Sequence, residues 1–359
     1  MSTSRSVLAP SERRVDRITS LLQDVRTSLD RLSVVRPLKA VLLSRHRQRF
    51  CAHELSATTI DGIDFEILPD IAQAGRDQAG YDFCILCCQN QGEEAVLLGL
   101  RKIQFAKLYF AWMWDNHHHH VANLRTAMLA DVVFPTHWHE RQYLNHPAIV
   151  PGTHIPAHAK QWSPAAITRR YPEGLPVARK DSLFGGFGSY QWTPERNAFI
   201  QELIKRCPNH ALSLVSVSSY FSLPEADRLS AWVEHKVHLV VPIARDVSGR
   251  IFEALTTGQI PLVPHDVPDL DHVVDPRLQR ELPILRYRSG SVESVQSAWR
   301  EGLRRFDLDG AAGVERRRQF GCDQHSLKAR LSAFAAFARR PPPIVLESDG
   351  RVGLWANWK

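Results

Sequence analysis

No stretch of the chain approaches the ~18 consecutive apolar residues that a bilayer-spanning helix needs, and the start, MSTSRSVLAPSERR, has no apolar centre of the secretory kind. The expectation is an intracellular, cytoplasmic protein. Cysteine is scarce: there are 6 in 359 residues, and three of them are packed into CILCC, which suits no disulfide framework. A reducing compartment fits that usage. GxSxG, P-loop and HExxH patterns are all missing, so serine-hydrolase, phosphotransferase and zincin chemistries lack a starting residue. Short-period repeats and low-complexity tracts are missing too, which removes solenoid and fibrous classes. What remains is ordinary globular material, 44% hydrophobic and 23% charged, long enough for two domains with sizeable cores.

The net charge of +7 is unevenly placed. Residues 1–40 carry eight basic and four acidic side chains and residues 286–340 twelve and six, while the body between them is slightly acidic. Nucleic-acid binders show a continuous basic stripe with interleaved aromatics, and none is present here, so no nucleic-acid partner is expected. Basic ends beside a near-neutral body suit an anionic small molecule or an anionic membrane surface. Peripheral contact at the inner face of a membrane is the corresponding expectation.

Val15, Ile18, Leu22, Val25, Leu29 and Leu32 follow a 3-4-3-4-3 spacing, which describes an amphipathic helix with one narrow apolar seam. Packing on its own domain covers such a seam; a homodimer through residues 15–32 or a membrane surface is the alternative cover. From residue 38 short apolar runs alternate with helical stretches: LKAVLLS, FEIL, YDFCILCC, AKLYFAWMW, ADVVFP, then SLFGGFG, ALSLVSV, HLVVPIA, IPLVP and ILRY. Strands buried on both faces read this way, so two doubly wound α/β halves are implied. The proline-rich stretch from about Gly152 to Asp181, with Pro156, Pro164, Pro172 and Pro176, reads as the connection between them. The expected division is a helical segment 1–37, a domain 38–160, a linker 161–180, a domain 181–340 and a tail 341–359 whose Trp355 and Trp358 dock on a domain.

Two stretches carry chemistry. In ARDVSGRIFEALTTGQIPLVP, Gly249 opens a helix, Arg250 and Glu253 share a face, Gly258 ends it and Pro261 starts a strand. A helix N-terminus with an arginine is an anion site, and a glutamate one turn on can accept hydrogen bonds from a sugar diol. An i,i+3 ion pair on a solvated helix is the plainer reading of the same spacing. In YFAWMWDNHHHH, a strand ending near Trp114 puts Asp115, Asn116 and His117 at its carboxyl end, where open α/β sheets bind ligands. Asp115 first and His117 second are the candidates for a catalytic base. Among the four histidines only His117 and His120 share a helix face, which is too few for a zinc site, so no metal is assigned. His137 and His139 alternate and so face one side, as satisfied loop histidines. In CILCC, Cys84 and Cys88 share one strand face and Cys87 the other, as buried structural thiols.

SLFGGFGSYQWTPERNAFIQEL resembles the first strand, glycine loop and helix of the C-terminal domain of GT-B glycosyltransferases, and GRIFEALTTGQIPLVPHDVPDL resembles their donor-binding strand-helix-strand segment. The nearest pattern is the family 1-like, spore-maturation (CgeB-like) group, matched well over residues 180–340 and loosely over 38–160. The resemblance implies two Rossmann-like domains facing a cleft and transfer of a sugar from a nucleotide-sugar donor, with UDP-sugars favoured and no cofactor. The acceptor it implies is a glycan or a lipid-linked molecule, in surface polysaccharide or glycoconjugate synthesis. It places Glu253 on the ribose hydroxyls, Arg250 near the diphosphate, and Gly185, Gly186 and Gly188 where backbone approaches the phosphates. Retaining members often have a second acid eight positions before that glutamate, where this chain has Arg245 with Asp246 one residue off, so retention or inversion stays open. A nucleotide-sugar epimerase and an inactive GT-B-like binding protein are the alternatives on the same architecture.

Overall fold

The computed structural model describes residues 10–33, 37–43, 57–68, 80–88, 92–114, 116–139, 144, 146, 148–216, 219, 222–346 and 352–354. These divide into two compact units. The first holds the residues up to Pro156 together with those from Arg330 onward, and the second holds Ala157–Ala329.

In the first unit the apolar runs become β1 (Leu38–Leu43), β2 (Ala57–Ile60), β3 (Ile63–Leu68), β4 (Tyr81–Cys87), β5 (Ala106–Met113) and β6 (Val132–Pro135). They form one sheet in the order β2-β3-β1-β4-β5-β6, parallel except for the edge pairing of β2 with β3. β4 is buried along its whole length, as a strand covered on both faces must be. Cys84, Leu86 and Cys88 join Val41, Ala111 and Val133 on one face, which α2 (Glu93–Lys102) and α3 (Asn116–Leu129) cover through Leu97, Leu100 and Ala127. Burial pushes the Cys84 and Cys88 thiols far up, so this run is inert core. The other face is aromatic. Phe83, Phe110 and Phe134 run across three strands and meet Phe334 and Phe337, with ring centroids 4.9 Å apart for Phe134–Phe334 and 4.8 Å for Phe134–Phe337.

In the second unit β7 (Leu183–Gly188), β8 (His210–Val215), β9 (Val237–Leu239), β10 (Ile260–Pro264) and β11 (Leu285–Tyr287) form an all-parallel sheet in the order β11-β10-β9-β7-β8. The first strand, β7, has its sequence successor on one side and β9 on the other. The strand order therefore reverses between β7 and β9, and that is where a doubly wound sheet leaves a crevice at its carboxyl end. In the first unit the corresponding reversal lies between β1 and β4, whose carboxyl ends lead into residues outside the described set. Around the second sheet lie α4 (Pro164–Arg170), α5 (Pro194–Arg206), α6 (Glu225–Val233), α7 (Gly249–Thr256), the short α8 (Leu270–Val273) and α9 (Pro276–Glu281), and the long α10 (Val292–His325). Trp162, Phe187, Trp232, Leu239, Leu262 and Phe306 are part of its core.

The boundaries differ from the sequence-based division. Residues 161–180 do not hang between domains: Trp162 and Ile167 are 1% exposed in the second core, and Ser163 caps α4 by accepting from Ala166 N at 3.0 Å. The chain also leaves the second unit inside α11 (Leu327–Arg339), because Phe334 and Phe337 complete the aromatic face of the first sheet. The tail strands β12 (Ile344–Leu346) and β13 (Val352–Leu354) pair antiparallel in the first unit, where α1 (Pro10–Ser33) lies against β13 with Val25 buried. The other seam side chains of α1, and Trp355 and Trp358, lie outside the described residues.

Candidate functional site

The crevice end of the second sheet is built from three segments. β7 ends at Gly188, and the chain passes through Tyr190 and Trp192 into α5, whose first turn holds Pro194 and Arg196. An arginine in a first turn opposes the helix dipole, and its side chain here folds back across the strand ends. Arg196 Nη1 donates to Gly188 O at 3.0 Å and Nε to Val241 O at 2.9 Å, which ties the carboxyl end of β7 to the chain leaving β9. Its guanidinium lies 5.6 Å from the Phe187 ring centroid. Burial and the neighbouring Arg250 push Arg196 down to about 10. The same burial and the same arginine hold the imidazole of His238, on β9, well below the ordinary histidine range. Two guanidiniums are thus brought into one electrostatic neighbourhood at the strand-order reversal. Trp192, 50% exposed, stands beside Tyr190 at 5.6 Å.

The second segment joins β9 to α7. Ala244 and Arg245 both have positive φ, 51° and 64°, a costly conformation for residues with side chains. The turn throws Arg245 outward, its side chain 72% exposed and 3.5 Å from Asp266, and leaves Asp246 buried. The acid one residue out of register is thus the one inside. Ser248 then caps α7 by accepting from Arg250 N at 3.3 Å. At the far end Gly258, with φ +73°, terminates the helix where a Cβ would come within 2.7 Å of Val314 Cγ1. Arg179 Nη1 donates to Thr257 O at 2.9 Å and Arg317 Nε to Gly258 O at 3.0 Å, so two cations face the negative end of α7.

The third segment, 157–163, runs over α7. Glu253 is fully buried and accepts from Gln161 Nε2 at 2.6 Å and from Lys160 N at 3.4 Å. Trp162 Nε1 donates to Thr256 Oγ1 at 3.2 Å, and His158 O lies 3.0 Å from where a Cβ on Gly249 would stand. The spacing of Arg250 and Glu253 on one short helix is as expected, whereas the cover over the carboxylate comes from 92 residues away. Gly185 and Gly186 are buried inside β7 rather than in a loop, and a Cβ on Gly185 would meet Phe187 Cζ at 2.7 Å. That glycine makes room for a ring. Gly188 contributes its carbonyl to Arg196.

At the carboxyl end of the first sheet the described groups are different. Trp114 follows β5, and Thr136, His137, Trp138 and His139 follow β6. Thr136 Oγ1 donates to Met113 O, and His154 Nε2 donates to Thr136 O at 2.8 Å. The His137 and His139 rings stack 5.6 Å apart, and Trp138 meets His154 edge-on at 5.8 Å. Asp115 lies outside the described residues; His117 falls in the first turn of α3, with its side chain outside them. Among the described residues no three His, Cys, Asp or Glu side chains are grouped to hold a metal ion.

Sequence reasoning passed over Arg196, Gln161 and Trp192. A basic residue placed against the dipole of a helix that follows a glycine-rich strand was the available signal for the first.

No family model matches the chain, and no curated protein matches it. Among solved structures, the sucrose-phosphate synthase of Thermosynechococcus elongatus is similar at 13% identity and TM-score 0.53, over 84% of this chain and 98% of that one. An α,α-trehalose-phosphate synthase (UDP-forming) from Burkholderia xenovorans gives 8% identity and TM-score 0.48, over 84% and 100%. An O-GlcNAc transferase of Thermobaculum terrenum gives 13% and 0.46, over 93% and 74%. The first likeness shows the fold, two Rossmann-like domains of the GT-B kind.

Proposed function

We propose that the chain is a glycosyltransferase that moves a sugar from a nucleotide-sugar donor to a hydroxyl acceptor. The observation that carries this is Arg196, which bridges the chain leaving β7 and β9 at their reversal through Gly188 O and Val241 O, with Arg250 in the first turn of the helix that follows β9. Two neighbouring cations raise each other's energy, and a diphosphate between them relieves that repulsion. The amino ends of α5 and α7 add partial positive charge on the same strands' outlet. Together these groups neutralise a leaving diphosphate without calling on a cation.

Glu253 reads the ribose diol, with the Gln161 amide occupying the diol's place until the donor enters. A carboxylate has about four acceptor positions, so Glu253 can serve the tether and the sugar in turn. Asp115, with His117 second, takes the proton of the acceptor hydroxyl, and the indole and imidazole groups after β6 suit a polyhydroxylated acceptor, a glycan or a lipid-linked sugar. UDP-sugars come first by family resemblance. No helix among the described residues is long and apolar enough to cross a membrane. Contact with an anionic membrane draws on residues 1–40 and on the basic residues of 286–340 other than Arg317 and Arg330, which are buried.

Incubation with UDP-, GDP-, CDP- and ADP-linked sugars, with release of nucleoside diphosphate followed by chromatography, tests the reading. Release that quickens with added glycan acceptors supports it. Epimerised sugar without release, or no turnover of any donor, overturns it.

A further inference from the structure

Trp192 is the one exposed tryptophan among the described residues, and an indole left half in water is uncommon. Its turn is tied down at several points. Ser189 N donates to Val215 O, at the end of β8, at 2.8 Å. Tyr190 O accepts from Thr193 N at 3.2 Å and from Asn197 Nδ2, in the first turns of α5, at 2.8 Å. The Tyr190 ring in turn meets two groups: its centroid is 6.0 Å from the Arg196 guanidinium and 5.6 Å from the Trp192 ring. The indole is thus held within one aromatic residue of the cation proposed to anchor the diphosphate.

The two sides of that anchor differ. From β7 to β8 and from β9 to β10 the chain moves in opposite directions across the sheet, so right-handed crossovers put α5 and α7 on opposite faces. The cores agree. Ile200 and Leu203 of α5 cluster with Leu262 of β10, whereas Ile251, Phe252 and Leu255 of α7 cluster with Val263, the next residue of that strand, which points the other way. Glu253 lies on α7, and Trp192 on the lead into α5. A nucleotide sugar carries its ribose on one side of the diphosphate and the transferred sugar on the other. With the ribose drawn to Glu253, the side toward α5 is left to the transferred sugar.

We propose that Trp192 is the platform on which the transferred sugar lies, and that this sugar is a pyranose whose C–H face stacks on the indole. The inference rests on the transferase reading of the same crevice. A pyranose presents C–H groups of partial positive charge to the negative face of an aromatic ring and keeps its hydroxyls at the rim, in water.

Calorimetric titration of the full chain with UDP, GDP, CDP and ADP, each beside its glucose conjugate, tests it on wild type, Trp192→Ala and Trp192→Phe. Trp192 is exposed and belongs to neither core cluster of the second unit, so neither substitution removes core. In Trp192→Ala the affinity for the glucose conjugate should fall by about fivefold or more, while that for the matching nucleoside diphosphate stays within about twofold of wild type. Trp192→Phe keeps an aromatic face and should retain most of the conjugate's affinity. An equal fall for both ligands makes the indole a platform for the base or a prop for Arg196, and overturns the proposal. Unchanged affinity for the conjugate overturns it too and leaves the donor site standing. Absence of nucleotide binding in the wild type overturns the transferase reading itself, and the platform with it.

Discussion

The carboxyl ends of the two sheets share a plan and differ in chemistry. After β5 and β6 the described side chains include the indoles and imidazoles of Trp114, His137, Trp138 and His139; after β7 and β9 they include Tyr190, Trp192 and two guanidiniums, that of Arg196 on the carbonyls of Gly188 and Val241 and that of Arg250. Aromatic and imidazole groups suit a neutral polyol and a proton transfer, whereas paired guanidiniums suit a fixed anion. A division of tasks between the two units is tested by asking which unit's variants change turnover and which change nucleotide affinity.

The largest effect belongs to the first unit. Asp115→Asn should lower turnover by about 10² or more while nucleotide-sugar affinity stays near wild type, because a general base acts on the transition state rather than on donor binding. Steady-state kinetics beside calorimetry check it, and a fully active variant moves the role to His117. In the second unit Glu253→Ala removes the acceptor of the Gln161 and Lys160 hydrogen bonds. It should weaken donor binding and also destabilise the chain by about 1.5–3 kcal/mol, since a buried bond to a carboxylate is lost. Denaturant melts read the second part, and an unchanged midpoint would show that the 157–163 segment does not depend on Glu253.

How far the sequence carried the reading follows the range of the interactions. Gly258, Arg250 and the ends of α7 were legible because caps and i,i+3 spacing are local. The inert thiols of CILCC were legible from strand alternation. The cover on Glu253 was not, since Gln161 arrives from a segment whose prolines read as a loose linker but whose Trp162 and Ile167 are core. The packing at Gly185 was not legible for the same reason: its missing side chain leaves room for Phe187 and, on the next strand, Leu212 Cδ2 at 3.2 Å, contacts that no motif displays.

A smaller effect sharpens the contrast from inside the second core. His238 is fully buried with both ring nitrogens lacking a hydrogen-bond partner, stacked on Trp232 at 3.9 Å. His238→Phe keeps the ring and removes the orphaned groups, so it should stabilise the chain by about 1–3 kcal/mol in thermal or denaturant melts. The pH dependence follows in sign. The folded chain keeps His238 neutral well below its ordinary value of 6.5, whereas the unfolded chain takes up a proton there. Stability is therefore fully present above about pH 6.5 and falls below it, by up to ~1.4 kcal/mol per pH unit for one histidine. The variant should lose most of that slope, leaving the part due to His235, which burial and Lys180 also hold low. An equal slope in the variant would place the acid sensitivity elsewhere.

A diphosphate site at the carboxyl end of the second sheet is put to the test by calorimetric titration of wild type and Arg250→Ala with nucleoside diphosphates, UDP first. Saturable binding to the wild type is expected, weaker by about tenfold or more in the variant, as loss of a charge-assisted hydrogen bond requires. Absence of binding for every nucleoside diphosphate, or equal affinity in the two proteins, would contradict it.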